Sequence, residues 1–462
     1  MQRRNFLQQL GLGLGAGLSL PSFSKAAESN ACNLVNLFCA GGPDFRHLLA
    51  PRYSSNSNDY GYHYWNSRAS SFSTAANASS LQTLSNSFSH FDIGNGQQFG
   101  INPIAGWLAS EYEAGRVAIV NNVFGTRSRN HSHASRVFES GQHWVLPENR
   151  QVSGWGGRLA QEKGESILSL TSNVRTFCYG EHATDPLLHD NTSVISMSRS
   201  KSWGLYKPDS LIENPSATGY RNVTSRALEN YYKAKRKELA SDSPYQIFMQ
   251  HEKTYRELGD AVRARLESFT ATPFSAWENN ESRLNNRGLE RQLVSLFDSL
   301  LCRDVLNSTT MSLDYGGFDT HKRQNASLTS RFSDLFATGG GLDTFFTALR
   351  EHQTDVADSL VLCIGGEFGR QLSANGDGGT DHGRGNSVIL IGEPVKGGIY
   401  GDMFPDSEIE NYSKPGKDID GLTHVDRIFS KLADWSQPGS SNNMFSQLAA
   451  SELESESVLE FI

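Results

Sequence analysis

The residues able to do chemistry gather in four short segments of the 462-residue chain. Asp44 follows Gly41-Gly42-Pro43. Arg127, Arg129, His131, Ser132 and His133 share the segment 127–133. Asp319-Thr320-His321 follows a Gly-Gly pair, and Glu367, Arg370, Asp377, Asp381, His382 and Arg384 crowd the glycine-rich stretch 365–385. Carboxylates interleaved with imidazoles suit Zn²⁺ or Mn²⁺, and the carboxylates alone can hold Mg²⁺ or Ca²⁺. Asp319 and His321 project to one side of an extended backbone, which is ligand spacing. Glu367 directly follows an apolar run and is costly to bury there unless paired or bound to a metal. Plainer readings stand beside these. Asp44 suits a turn, and Ser132 suits a helix N-cap. The chemical reading makes Ser132 a nucleophile, or a seat for an oxyanion, flanked by His131. Arg127, Arg129, Arg370 and Arg384 in the same loops suit a phosphate or sulfate group on a substrate.

These segments need elements that bring them together. The apolar runs Asn33–Ala40, Val117–Val123, Thr310–Leu313 and Leu360–Ile364 read as strands, and each ends at one of the four segments. Val388–Ile391 reads as a further strand after the glycine-rich loop. A parallel sheet makes such ends converge. Helical spacing appears at Ile104–Ala114, closed by Gly115, and at Val223–Leu239, Ser243–Leu266, Asn286–Leu306, Leu342–Gln353 and Thr423–Trp435. Strand–helix alternation on both sides of the helical middle predicts one α/β domain over 28–462. A polar, lid-like insertion is expected at about 51–100 and a helical one at about 220–306.

Hydrophobic residues make up 37% of the chain and the net charge is −8, so it is globular and has no basic excess for nucleic acid. Arg3-Arg4-Asn5-Phe6-Leu7 is a twin-arginine signature before a Gly/Leu run and a small-residue cleavage site near Ala26 or Ala27. This predicts a removed signal (1–27), dependence on the twin-arginine export machinery, a periplasmic or secreted product, and no transmembrane span after removal. An exported location permits disulfides, but the five cysteines have no zinc or redox spacing.

Together the motifs resemble the twin-arginine-exported bacterial family called domain of unknown function 1501. The resemblance rests on Arg129–Gly141, on Gly316–His321, on Gly366-Glu-Phe-Gly-Arg370 with Asn375–Gly383, and on Val395-Lys-Gly-Gly398. That family looks like a branch of the alkaline phosphatase and sulfatase superfamily. The resemblance implies an α/β/α sandwich with a mostly parallel sheet and one or two divalent ions at its carboxyl edge. It implies that Asp44 and Glu367 share one ion, that Asp319, His321 and His382 share another, and that Asp381 ligates or orients. Phe368 stands where the superfamily has a histidine, and Asn130 stands where many relatives have a serine. The expected activity is hydrolysis of a small-molecule or polymer phosphate or sulfate ester. The alternative is a non-catalytic exported protein of the same fold that binds a surface polymer, lipid or partner, with Tyr60, Tyr62, Tyr64 and Trp65 as its binding lid.

Overall fold

In a computed structural model the described residues are 31–200 and 258–445, apart from 95, 186, 192 and 199, with a few residues of 230–238 and with 459–462. The predicted signal segment, most of the helix expected at Val223–Leu239 and the first part of that at Ser243–Leu266 therefore lie outside the described residues, and the few described residues of 230–238 are helical.

Among the described residues nine strands form the central sheet. They are β1 (Asn33–Ala40), β2 (Val117–Phe124), β3 (Ile167–Ser169), β4 (Val194–Ser196), β5 (Thr310–Gly316), β6 (Leu360–Gly365), β7 (Asn386–Ile391), β8 (Gly398–Tyr400) and β9 (Thr423–His424). Their order is β8-β2-β7-β6-β1-β5-β3-β4, with β9 also on β2. Only β7 runs antiparallel to its neighbours, β6 and β2. The remaining pairings are parallel. β1 is central: Leu37 aligns with Leu313 of β5 and with Ile364 of β6. The ends of β1, β5 and β6 thus lie side by side.

The strands are apolar on both faces because both are covered. Val35, Leu37 and Cys39 enter one core, while Leu34 and Phe38 enter the other. The larger core is closed by α1 (Tyr60–Arg68), α2 (Gly106–Glu113), α5 (Arg287–Leu301), α6 (Gln324–Phe336) and α7 (Gly341–His352). The second is closed by α3 (His131–Ser140), α4 (Trp155–Lys163) and α8 (Val425–Ser436), with Trp155 stacked on Phe429 at 4.5 Å. Helices on both faces of a mostly parallel sheet make an α/β/α sandwich.

Segment 51–100 carries short helices and a three-stranded antiparallel sheet, Leu49–Pro51, Gln98–Ile101 and Ser89–Asp92. Tyr60, Tyr64 and Trp65 are buried there, Trp65 against Phe72 and Phe88, Tyr64 against Trp65, and Tyr60 against Phe404 and Tyr412, while Tyr62 is half-buried. The rings of Tyr64 and Trp65 are therefore part of the core. The helix expected at Asn286–Leu306 breaks at Cys302 into α5 and a short turn, Arg303–Leu306. The five cysteines are all free. No helix among the described residues is long and apolar enough to cross a membrane.

Candidate metal centre

The site is built where β1, β5 and β6 end and α3 begins. Beyond β1, Gly41 (φ 113°) and Gly42 (φ 68°) turn the chain in the left-handed region. A Cβ on Gly42 would meet the Phe368 ring at 2.5 Å, and one on Gly366 would meet Pro43 Cδ at 2.4 Å. The loops after β1 and β6 are therefore packed backbone against side chain, which places Glu367. Its Oε1 accepts the Gly41 N–H at 2.9 Å and faces His131 Nδ1 at 2.7 Å. Its Oε2 is buried without a hydrogen-bond partner.

His131 is the first residue of α3. Asn130 caps that helix, its side chain accepting from the His133 N–H at 3.1 Å. The cap is thus Asn130 and not Ser132, whose side chain is exposed on the first turn. His133 is turned away: it is buried, with Nε2 2.8 Å from the Val145 carbonyl.

Three imidazoles converge on Asp319. His131 Nε2 lies 3.5 Å from Oδ2, and the Nε2 atoms of His321 and His382 both lie 3.0 Å from Oδ1. His321 Nε2 and His382 Nε2 are themselves 3.0 Å apart. The outer nitrogens decide the tautomers. His131 Nδ1 meets Glu367, His321 Nδ1 meets Asp381 Oδ1 at 2.7 Å, and His382 Nδ1 meets the Arg129 carbonyl at 3.1 Å. Carboxylate and carbonyl oxygens only accept, so each Nδ1 carries the proton and each Nε2 turns a lone pair inward. The centre of the cluster is then lone pairs facing lone pairs, which requires positive charge between them. Imidazoles held through their second nitrogen by carboxylates and carbonyls are the arrangement of metal-binding histidines. One ligand atom each from His131, Asp319 and His382 lies within 4.8 Å of the others.

The electrostatics agree. The hydrogen bond to Glu367 raises the His131 pKa above the usual histidine value, so this pocket favours added positive charge. Burial lowers the His382 pKa, favouring the neutral ring that a ligand needs. Burial works against the Asp319 carboxylate, but the Arg370 hydrogen bond, together with the His382 ring whenever its Nε2 is also protonated, outweighs it and holds Asp319 at about 2. The hydrogen bond to His321 lowers the Asp381 pKa. Phe368 is buried and forms an apolar wall, with its ring centroid 4.9 Å from that of His131 and 4.8 Å from that of His382.

Asp44 stands apart from this cluster. Its Oδ2 is paired with Arg68 and also accepts from Gln324 Nε2 at 2.8 Å. Asp44 and Glu367, taken together from the resemblance as one ion's ligands, have separate partners here. The arginines also differ from the oxyanion clamp expected of them. The buried Arg370 guanidinium binds the carbonyls of Gly41, Gly42, Phe318 and Thr380 and holds Asp319 Oδ1 at 2.7 Å. Arg129 and Arg384 both grip Asp418, at 2.6 and 2.8 Å. Arg127 is exposed and makes no ion pair among the described residues. Asp418 went unseen in the sequence because it lies in an aperiodic loop, and only its buried position between two arginines reveals it.

Residues 299–411 match the model of a family described as a protein of unknown function, DUF1501. That segment holds Asp319, His321, Glu367, Asp381 and His382. No curated protein matches the chain.

Proposed function

We propose that the protein is an exported metal-dependent hydrolase of phosphate or sulfate esters, with a single divalent ion held by His131, Asp319 and His382 and with His321 beside them. The observation that carries this reading is the convergence of three inward-facing Nε2 atoms on one carboxylate. A divalent ion there would polarise an ester oxygen and activate the attacking hydroxyl or water. Imidazole and carboxylate ligands favour zinc or manganese over calcium.

The chain's own residues supply the rest. Glu367, Asp381 and the Arg129 carbonyl orient the three rings. Arg370 holds Asp319 ionised and in place, acting as a positioning residue and not as a substrate ligand. Ser132 is exposed one residue from His131, at the positive end of α3, where a nucleophile or a bound oxyanion is stabilised. Arg127 is exposed in the loop that leads into α3 and would meet the ester group. Phe368 and the Arg68 pair on Asp44 support one ion in place of two. The ester class rests on the resemblance to the alkaline phosphatase and sulfatase superfamily, and export rests on Arg3-Arg4 and the segment after them.

The test is turnover of aryl phosphate and aryl sulfate esters by protein reconstituted with zinc or manganese. Turnover should fall to background in His382→Ala, which removes one of the ion's ligands. Bound metal with no turnover on either ester class would favour the non-catalytic reading.

A further inference from the structure

The insertion at 51–100 borders a cavity of about 630 Å³ that shares no lining residue with the metal centre. Three stretches far apart in sequence line it: the turn before α1, the antiparallel pair Ser89–Asp92 and Gln98–Ile101, and the loop at Phe404–Asp406. The floor is aromatic. The Tyr60 and Phe404 rings are buried there, with centroids 5.1 Å apart. The Tyr60 ring is held in place, because its hydroxyl donates to Glu408 at 2.8 Å and accepts from Tyr412.

The walls are polar and already oriented. Arg52 donates to Gln98 Oε1 at 2.7 Å, and Gln98 Nε2 donates to Asp92 Oδ1 at 2.7 Å. Ser54 and Asn56 both donate to Asp59, at 2.5 and 2.9 Å. Asp406 has no side-chain partner among the described residues. Arg52, Asp59, Asp92 and Asp406 are exposed, so each keeps hydrogen-bonding capacity for a ligand. Three carboxylates against one guanidinium repel an anion. An amine, which only donates, would leave Arg52 unmatched. A hydroxyl both donates and accepts. A ring bearing several hydroxyls therefore matches the carboxylates, the amide and the guanidinium together, and its C–H face suits the aromatic floor.

We propose that this cavity binds a neutral saccharide unit of a polymeric substrate. The polymer half of the proposal rests on the ester reading above, whereas saccharide binding does not. Helix α1 ties the two places together. Tyr60, its first residue, lies in the cavity. Arg68, its last, pairs with Asp44 and holds the Gln371 and Leu372 carbonyls, on the loop that carries Arg370. A helix of this length spans about 12 Å. A cavity one short helix from that loop is within reach of a few linked sugar units, and its carboxylates turn the charged ester away from it.

The experiment offers the metal-stripped protein to an array of neutral saccharides built from hexoses, deoxyhexoses and N-acetylhexosamines. At least one should be retained. Asp92→Ala and Asp406→Ala should each weaken that binding about tenfold, the loss of one charge-assisted hydrogen bond. Both residues are exposed, so both variants should melt with the parent, and lost binding is separable from lost folding. Retention of no neutral saccharide overturns the proposal. So does retention that both variants keep in full, or tighter binding of spermidine than of any saccharide, which marks a cation site. The polymer half is read on the wild type: the bare saccharide should inhibit turnover of its own phosphate or sulfate ester polymer but not of an aryl ester. Inhibition of neither overturns the polymer half. Absence of turnover on every ester sinks the ester reading and the polymer half with it, and leaves the saccharide site standing.

Discussion

Single atoms carry the argument at the residue scale. Asp381 touches the centre only through His321 Nδ1, so its value lies in fixing which nitrogen faces the ion. Asp381→Asn should weaken zinc binding about 10- to 100-fold, measured by competition with a chelator. Its melting temperature should stay near that of wild type, since Asp381 is half-exposed. The arginines give a second prediction. Arg127→Gln should raise KM for an aryl phosphate about tenfold with little change in kcat, the loss of one charge-assisted hydrogen bond of about 1.5 kcal/mol. Arg384→Gln should leave KM nearly unchanged, because Arg384 is spent on Asp418 and Asp420. Equal effects of the two variants would return Arg384 to the substrate. The residue types at the centre were legible in the sequence, since Asp319, His321, Glu367, Asp381 and His382 stand out beside glycines. Their partners were not. Arg68 on Asp44 and Asp418 between two arginines come from segments with no chemical signature, and only folding sets them opposite those charges.

At the scale of elements, the site depends on how tightly the turns after β1 and β6 nest. Gly366 admits no side chain, with Pro43 Cδ at 2.4 Å and the Cys39 carbonyl at 2.6 Å from a Cβ placed there. Gly366→Ala should cost roughly 1–3 kcal/mol in urea denaturation and displace Glu367 from His131. Gly376, whose added Cβ would meet nothing within 4 Å, should accept alanine without loss. The strands were readable because a run such as Val-Leu-Cys-Ile between polar ends has few other uses. The direction of β7 was not readable. An apolar run does not encode parallel or antiparallel pairing, and the reversal of β7 sends the 366–385 loop back across the site. Nor did local pattern reveal that Tyr60 and Tyr64 are core, because burial of that helix depends on partners as distant as Glu408 and Tyr412.

Over the whole molecule, a two-faced sandwich buries ionisable groups far from the centre, and this sets its response to acid. His47 is buried and stacked on Phe72, with ring centroids 3.9 Å apart. Burial depresses its pKa from 6.5 to about 4. The unfolded chain therefore binds a proton that the folded chain refuses, so the contribution of His47 is full above pH 6.5 and is lost as pH falls towards 4. At about 1.4 kcal/mol per pKa unit this amounts to about 3 kcal/mol. Urea denaturation at pH 7 and pH 4.5 should show that loss in the wild type and a smaller one in His47→Gln; equal losses would contradict the assignment. The overall class was legible because strand–helix alternation repeats on both sides of the helical middle. The central claim is that one divalent ion belongs between His131, Asp319 and His382. It is tested most directly by anomalous diffraction at the zinc edge from crystals of zinc-replete protein. An ion held there gives a peak about 2.0–2.2 Å from His131 Nε2, His382 Nε2 and an Asp319 oxygen. An ordered cluster with no peak there, in crystals that show zinc elsewhere, would contradict it.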